Sequence, residues 1–491
     1  MDYEEYDGLG LAERVRNGET TPRELLERAI ARLERFNPAL NAVITPMLDQ
    51  AWDRTREPPG DGPFAGVPFL AKDLMLFFAG APMSNGSRAL RRYVPTEDSS
   101  QARAIKEAGF VVFGKTNSSE LGAQPLTNPA AFGPTCNPWD LSLNAGGSSG
   151  GSTAAVAARI VPLAASSDGG GSIRLPASYC GVFGFKPSRG LNPFESAVAW
   201  GGAVVTHATT VSVRDSAAYL DWTSRGVRPD GHRPLPGSFL AATQAPTPRL
   251  RIGYSVESPV GGPVDPECVR AVEATAQLLR DLGHQVEPCT VPYDGDKVMR
   301  GLLTLVARYT FRDLERMAAW VGTSWRRLEV EESTRFLAEV GSGVTDAQVA
   351  AALEAWAEAA RQMEAFHGRH TVLLTPVTAT PPLPHDAIAP SGGERLAMRV
   401  LSGLRLGRFL FGDGLLTQTI QRAIAPLPFT QVANVTGQPA MSVPLHWSPA
   451  GLPIGSHFMA AAGNDALLFN LAAQLEKAAP WHDRRPPLVT R

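Results

Sequence analysis

The 491-residue chain has few cysteines, few lysines and almost no net charge. Its four cysteines, Cys136, Cys180, Cys268 and Cys289, lie far apart without C-x-x-C spacing. That argues against a zinc site or a disulfide framework and suits a reducing, cytoplasmic setting. Lys+Arg total 46 against 48 Asp+Glu, and the formal charge of -2 leaves no electrostatic footprint for nucleic acid or an anionic membrane. No uncharged apolar run approaches membrane-spanning length, and the opening MDYEEYDGLG has neither the basic nor the apolar region of a secretory signal. No internal repeat and no low-complexity tail is present. These absences leave a cytoplasmic protein whose partner is a small molecule, with no metal and no cofactor expected and with a homodimer left open.

Lysine usage is lopsided. Lys72, Lys106, Lys115, Lys186, Lys297 and Lys477 are the only six, and arginine supplies the other 40 cationic residues. A lysine in an apolar stretch therefore stands out.

Helix and strand signals alternate along the chain, as in α/β folds. Thr21-Pro22-Arg23-Glu24 combines a capping threonine, a first-turn proline and a box-closing glutamate, and predicts a helix ending near Asn37-Pro38. A second helix, about 100–108, leads into a strand over Phe110–Phe113. Asp265-Pro266 opens a helix reaching about Leu282, followed by a strand around Val286. Further strands are predicted at 250–254, 371–374, 440–443 and 454–460. Residues 226–250, rich in proline and glycine, read as a long surface connection and an internal boundary. From about 297 to 425 the sequence is mostly helical and richer in charge, an inserted helical region or cap over a site.

One stretch, GFVVFGKT at 109–116, matches the phosphate-loop pattern G-x-x-x-x-G-K-[ST] letter for letter. A phosphate loop needs backbone N–H groups free to curl around the anion. Phe110, Val111, Val112 and Phe113 favour a buried strand instead, where those N–H groups belong to the ladder. The pattern is read as a strand.

The chemistry concentrates in 144–190, NAGGSSGGSTAAVAARIVPLAASSDGGGSIRLPASYCGVFGFKPSRG. A flexible linker would be polar, yet this segment encloses AAVAARIVPLAA, small apolar residues suited to a packed helix and strand. Two glycine-rich turns, GGSSGG and SDGGGS, flank that unit and bring serines toward a common centre. In DGGGS three glycines before Ser172 allow successive N–H groups to face one point, as an oxyanion hole or a phosphate site requires. An activating base separates those readings. Gly146-Gly147-Ser148-Ser149-Gly150 fits the G-x-S-x-G elbow, but the preceding TCNPWDLSLNAG is a poor strand. None of the nine histidines has a suggestive context, and His385, His446 and His457 read as packing or surface residues. Lysine is the other base. Lys72 lies in FAGVPFLAKDLMLFF; it either pairs with Asp73 or, desolvated, becomes a proton acceptor near neutral pH. No S-x-x-K spacing occurs anywhere.

These residues resemble the amidase signature hydrolases. GVPFLAKD, GKTN, CNPWD, GGSSGGS, SDGGGSIRLPASYCGVFGFKPSRG, TGQPAMSVP and GLPIG occur in the family's order over nearly the whole chain. The resemblance implies an α/β amidase signature fold over 1–491, one large domain with a mixed twisted sheet covered by helices on both sides. Its core would span about 60–225 and 426–480, with the cap at 297–425. It also implies a Ser-cisSer-Lys triad with Lys72 as base, Ser148 as bridge on a cis Gly147–Ser148 peptide, and Ser172 as nucleophile. Backbone N–H groups of Gly169, Gly170, Gly171 and Ser172 would form the oxyanion hole, and Ser149, Asp168 and Arg174 would support it, the last two as a pair. Cys180 falls on the motif but reads as a buried small residue. Where many members carry threonine after the loop aspartate, this chain has Gly169, which predicts more room beside Ser172. Phe194 and Trp200 follow as candidates for the pocket wall, with packing as the alternative.

The implied activity is hydrolysis of a small or medium carboxamide through a seryl acyl-enzyme. Two alternatives stand beside it. One is the glutaminase subunit of a transamidation complex, which needs a pocket cation for the glutamine carboxylate; the other is a catalytically silent binding or scaffold relative.

Overall fold

The computed structural model describes residues 2–192, 199–225, 238–407 and 426–490. Among the described residues, eleven strands form one mixed sheet. In chain order these are β1 (Val43–Pro46), β2 (Pro68–Lys72), β3 (Val111–Thr116), β6 (Leu163–Asp168), β7 (Phe183–Lys186), β8 (Val205–Thr210), β9 (Arg251–Tyr254), β10 (Gln285–Pro288), β11 (Val372–Pro376), β12 (Ala440–Trp447) and β13 (Pro453–Ala460). Their spatial order is β1-β3-β2-β6-β8-β7-β12-β13-β11-β9-β10. β4 (Cys136–Asn137) and β5 (Asp140–Asn144) make a separate antiparallel ribbon. The segment read as a poor strand is thus paired, but outside the main sheet.

β2 runs parallel to both β3 and β6, with Leu70 opposite Ala164. Parallel neighbours end on the same edge of a sheet, and clefts in α/β folds form outside those carboxyl ends. Lys72 closes β2 and Asp168 closes β6. From the end of GGSSGG toward β6 runs the helix Gly150–Ala157, whose eight small residues are all buried, with the Ser152 and Thr153 hydroxyls donating to the Ala165 and Ser149 carbonyls.

The N-terminal capping box forms: the Thr21 hydroxyl accepts from Glu24 N–H at 3.2 Å, and the Glu24 carboxylate accepts from Thr21 N–H at 2.9 Å. Its helix continues past the predicted stop to Leu40, with Pro38 in the last turn. The stop comes at Asn41, in the left-handed conformation, while the Asn37 side-chain oxygen Oδ1 accepts from the N–H groups of Ala42 and Val43. Ser100–Glu107 and Pro266–Asp281 match their predicted helices.

Residues 297–425 are not continuous in the fold. Helices Gly295–Val321, Glu332–Ser342, Asp346–His367 and Gly392–Gly403 account for much of the stretch, but β11 carries the chain back into the sheet between them. Residues 408–425, and 226–237 of the proline-rich connection, lie outside the described residues, as does Phe194.

GFVVFGKT supplies β3. All six residues from Val111 to Thr116 are buried, paired antiparallel with β1 and parallel with β2. Lys115 donates from Nζ to the Leu76 carbonyl at 3.2 Å and lies 4.0 Å from Asp73, with both side chains buried. No curled loop exists there to cradle a phosphate, and millimolar ATP is expected to leave the melting temperature unchanged.

The helices Gly295–Val321 and Glu332–Ser342 meet at Gly341, where a Cβ would stand 1.9 Å from the Ala307 carbonyl oxygen. That contact is with backbone, which cannot swing aside. Gly341→Ala is expected to destabilise the protein by about 1–3 kcal/mol, read as a lower urea midpoint.

Candidate active site

Lys72 is buried at the end of β2, 1 % exposed, and Ser148 lies across from it at the same figure. Nζ of Lys72 stands 2.8 Å from Ser148 Oγ and 2.9 Å from Ser167 Oγ. The adjacent Asp73 takes no part; its carboxylate accepts from Ser84 N–H at 3.1 Å and faces Lys115. The ion-pair reading of Lys72 with its neighbour is therefore replaced, because successive strand residues point to opposite faces. Burial pushes the Lys72 ammonium down to about 7, against the attraction of Asp168. Lys186 is likewise fully buried and pushed down to about 7, but among the described residues its Nζ bonds only to the Pro187 carbonyl, at 2.8 Å. A low lysine pKa alone does not mark the site. Contact with two serine hydroxyls does.

The Gly147–Ser148 peptide is cis. Ser149 Oγ donates to the Ser167 carbonyl at 3.3 Å, joining the GGSSGG turn to β6.

Asp168 organises the second turn. Its carboxylate accepts from Gly171 N–H at 2.7 Å, Ile173 N–H at 3.1 Å, and Arg174 Nε and Nη2 at 3.0 and 2.9 Å. Asn434 Nδ2 adds a fifth donor at 2.9 Å. Burial works to raise the Asp168 pKa, but the charge and hydrogen bonds of Arg174 override it and hold the carboxyl well below the usual range. Arg174, also fully buried, spends its remaining donors on the Thr430 carbonyl at 2.8 Å, His457 Nε2 at 2.9 Å and Asn434 Oδ1 at 2.6 Å.

These bonds decide which loop N–H groups are free. Gly171, at φ +134°, gives its N–H to Asp168, which removes it from the expected oxyanion set. The preceding carbonyl, of Gly170, accepts from Thr430 Oγ1 at 2.6 Å, so this peptide is fixed at both ends. The N–H groups of Gly169, Gly170 and Ser172 have no acceptor among the described residues. The half-buried Ser172 hydroxyl likewise forms no hydrogen bond with a described residue.

The room expected beside Gly169 is occupied. A Cβ there would meet the Trp200 ring at 2.8 Å, so the indole packs where the threonine of other members would project. On the Ser148 side, a Cβ on Gly122 would meet Leu74 Cδ2 at 2.7 Å and Ser148 Oγ at 3.3 Å. Leu74 and Leu121 form one wall of a pocket whose other wall is Met317 and Trp320, with Asp313 and Arg316 beside them.

Ser167, Thr430 and Asn434 escaped the sequence reading. A signal existed for the last two: in PFTQVANVTGQPA, Thr430, Gln431 and Asn434 recur at helical spacing between apolar residues, a polar stripe on a buried segment. Cys180 is fully buried, with its thiol pushed far up by burial. His385 and His446 bond to Asn144 and Glu267 near the surface, and burial together with the Arg174 charge holds the His457 pKa well below its ordinary value.

Asp168→Ala would leave Arg174 buried without its counterion. It is expected to cost about 3–5 kcal/mol of stability, seen as a large fall in melting temperature. Ser172→Ala, which removes no hydrogen bond to a described residue, should melt as the wild type does.

A sequence model of the Amidase family matches residues 24–406. The 6-aminohexanoate-cyclic-dimer hydrolase of Pseudomonas sp. (strain NK87) is 36 % identical over 98 % of this chain and 97 % of its own. The lipoamidase of Enterococcus faecalis is 34 % identical over 97 % of this chain and 63 % of its own. The structure of a 6-aminohexanoate cyclic dimer hydrolase complexed with substrate superposes with a TM-score of 0.88 at 33 % identity, covering 100 % of both chains. The chain belongs to the amidase signature family and is a hydrolase of amide C–N bonds.

Proposed function

We propose that this amidase cleaves a small or medium carboxamide through an acyl-enzyme on Ser172. The observation that carries the reading is the 2.8 Å contact between a fully buried Lys72 and Ser148 at the edge of the glycine-rich turn. Neutral Lys72 accepts the Ser148 proton while Ser148 takes the proton of Ser172. The Ser172 oxygen then bonds to the carbonyl carbon. Negative charge on the carbonyl oxygen is stabilised by the N–H groups of Gly169, Gly170 and Ser172, which have no acceptor among the described residues. As the C–N bond breaks, the proton returns through Ser148 to the departing nitrogen. Water, deprotonated along the same path, splits the seryl ester and releases the carboxylate.

Asp168, Arg174 and Ser149 take supporting roles, holding the loop rather than touching substrate. The pocket beside Leu74 pairs Arg316 with Asp313, so it offers no uncompensated cation for a glutamine carboxylate, which supports simple amide hydrolysis over a glutaminase role. No described helix is long and apolar enough to cross a membrane. The four cysteines are unpaired, in keeping with a reducing, cytoplasmic location.

Ser172→Ala and Lys72→Ala are each expected to reduce amide turnover to background in a folded protein, and a fluorophosphonate should label Ser172. Near-normal turnover in either variant, or labelling of a different serine, would overturn the mechanism. Because the neutral lysine is the working base, the acylation rate should rise with pH and level off above about 7. Below that point single-turnover rates should fall about tenfold per pH unit. A flat profile between pH 5 and 9, a range of about two units either side of that value, would remove Lys72 from the relay.

A further inference from the structure

The helix Gly295–Val321 borders the site along its length. A Cβ on Gly170 would meet Leu302 Cδ2 at 3.7 Å, which sets one end of the helix against the nucleophile loop. Asp313 follows Leu302 by about three turns, roughly 16 Å along the axis, and faces the pocket beside Leu74 and Ser148. The pocket is apolar on most sides. Asn85, its other polar residue, is already engaged, its side-chain oxygen accepting from Met75 N–H at 2.9 Å.

Asp313 and Arg316 are different. Their closest approach is 3.6 Å, beyond hydrogen-bond length, and neither side chain hydrogen-bonds to a described residue. An exposed i,i+3 pair of this kind would be an ordinary feature of a helix surface. Here the carboxylate is only 25 % exposed, set in an apolar wall, and burial pushes its pKa up to about 6. Charge compensates charge in this pair, but with no protein hydrogen bond the carboxylate and the 40 % exposed guanidinium are left to water, which a bound group of matching polarity could replace.

Resting on the amidase reading above, we infer that Asp313 and Arg316 form a specificity pair for a second, neutral carboxamide on the substrate. Its N–H donates to Asp313 and its C=O accepts from Arg316, while the scissile amide lies at Ser172. The chemistry discriminates among end groups. An ammonium would satisfy Asp313 but oppose Arg316, a carboxylate would do the reverse, and a methyl would leave both unpaired. A neutral donor–acceptor group completes both and adds no charge. Sites built to hydrogen-bond a substrate group discriminate strongly against analogues that lack it.

The test is a set of primary amides in several chain lengths, alike except at the far end: methyl, N-methylcarboxamide, ammonium or carboxylate. Ammonia release gives kcat and KM for each. Wild-type enzyme is expected to favour the N-methylcarboxamide over the methyl end by about tenfold or more in kcat/KM. Asp313→Ala and Arg316→Ala should each lower that preference about tenfold, mainly through KM, and Asp313→Asn, which keeps an acceptor oxygen, should retain most of it. Arg316 is partly exposed, so its variant serves if Asp313→Ala fails to fold. Wild-type preference for the ammonium end or the carboxylate end, or equal losses on all four substrates, would overturn the inference. If wild type hydrolyses none of them, or Ser172→Ala still turns them over, the proposed function fails and the specificity pair falls with it.

Discussion

The site hangs on one buried carboxylate. Asp168 collects five donors from the loop, the following helix and the segment around Asn434, and without it the Gly171 and Ile173 N–H groups and Arg174 Nε would have no acceptor among the described residues. A charge this deep is tolerated only because Arg174 neutralises it and further hydrogen bonds fill its remaining capacity. The arrangement fixes the direction of the Gly170–Gly171 peptide, and with it the set of N–H groups left facing outward. The same ion also lies close enough to Lys72 to pull against its desolvation. Loop shape and base strength thus share a source.

Much of this was legible in the sequence, and the reasons are physical. The Thr21 capping box and the proline after Asp265 act within a few residues, and local rules find local structure. The SDGGGSIR turn was legible for the same reason: glycines, an aspartate and an arginine within one short run. What escaped were partners brought in by topology. Ser167 reaches Lys72 only because β2 and β6 are neighbours, and Thr430 and Asn434 arrive from about 260 residues away. Trp200 filled the space that Gly169 was expected to leave open, since a missing side chain in a packed interior invites another.

The GFVVFGKT stretch shows how a pattern of letters misleads when its backbone is committed elsewhere. Lys115 and Lys72 stand at the ends of neighbouring parallel strands, opposite Ala71 and Thr116 respectively. Both are buried and both have lowered pKa values. Their surroundings separate them: a carboxylate and a carbonyl for one, two hydroxyls for the other.

The sheet's two outer strands carry a consequence beyond the site. β1 and β10 are each four residues long and each ends in proline, Pro46 and Pro288, and β10 also presents Glu287 to solvent. An open sheet of eleven strands could template strand addition from either side. Short borders closed by residues that lack an N–H give an incoming strand little to bind. Either border is therefore a poor template for edge-to-edge strand addition.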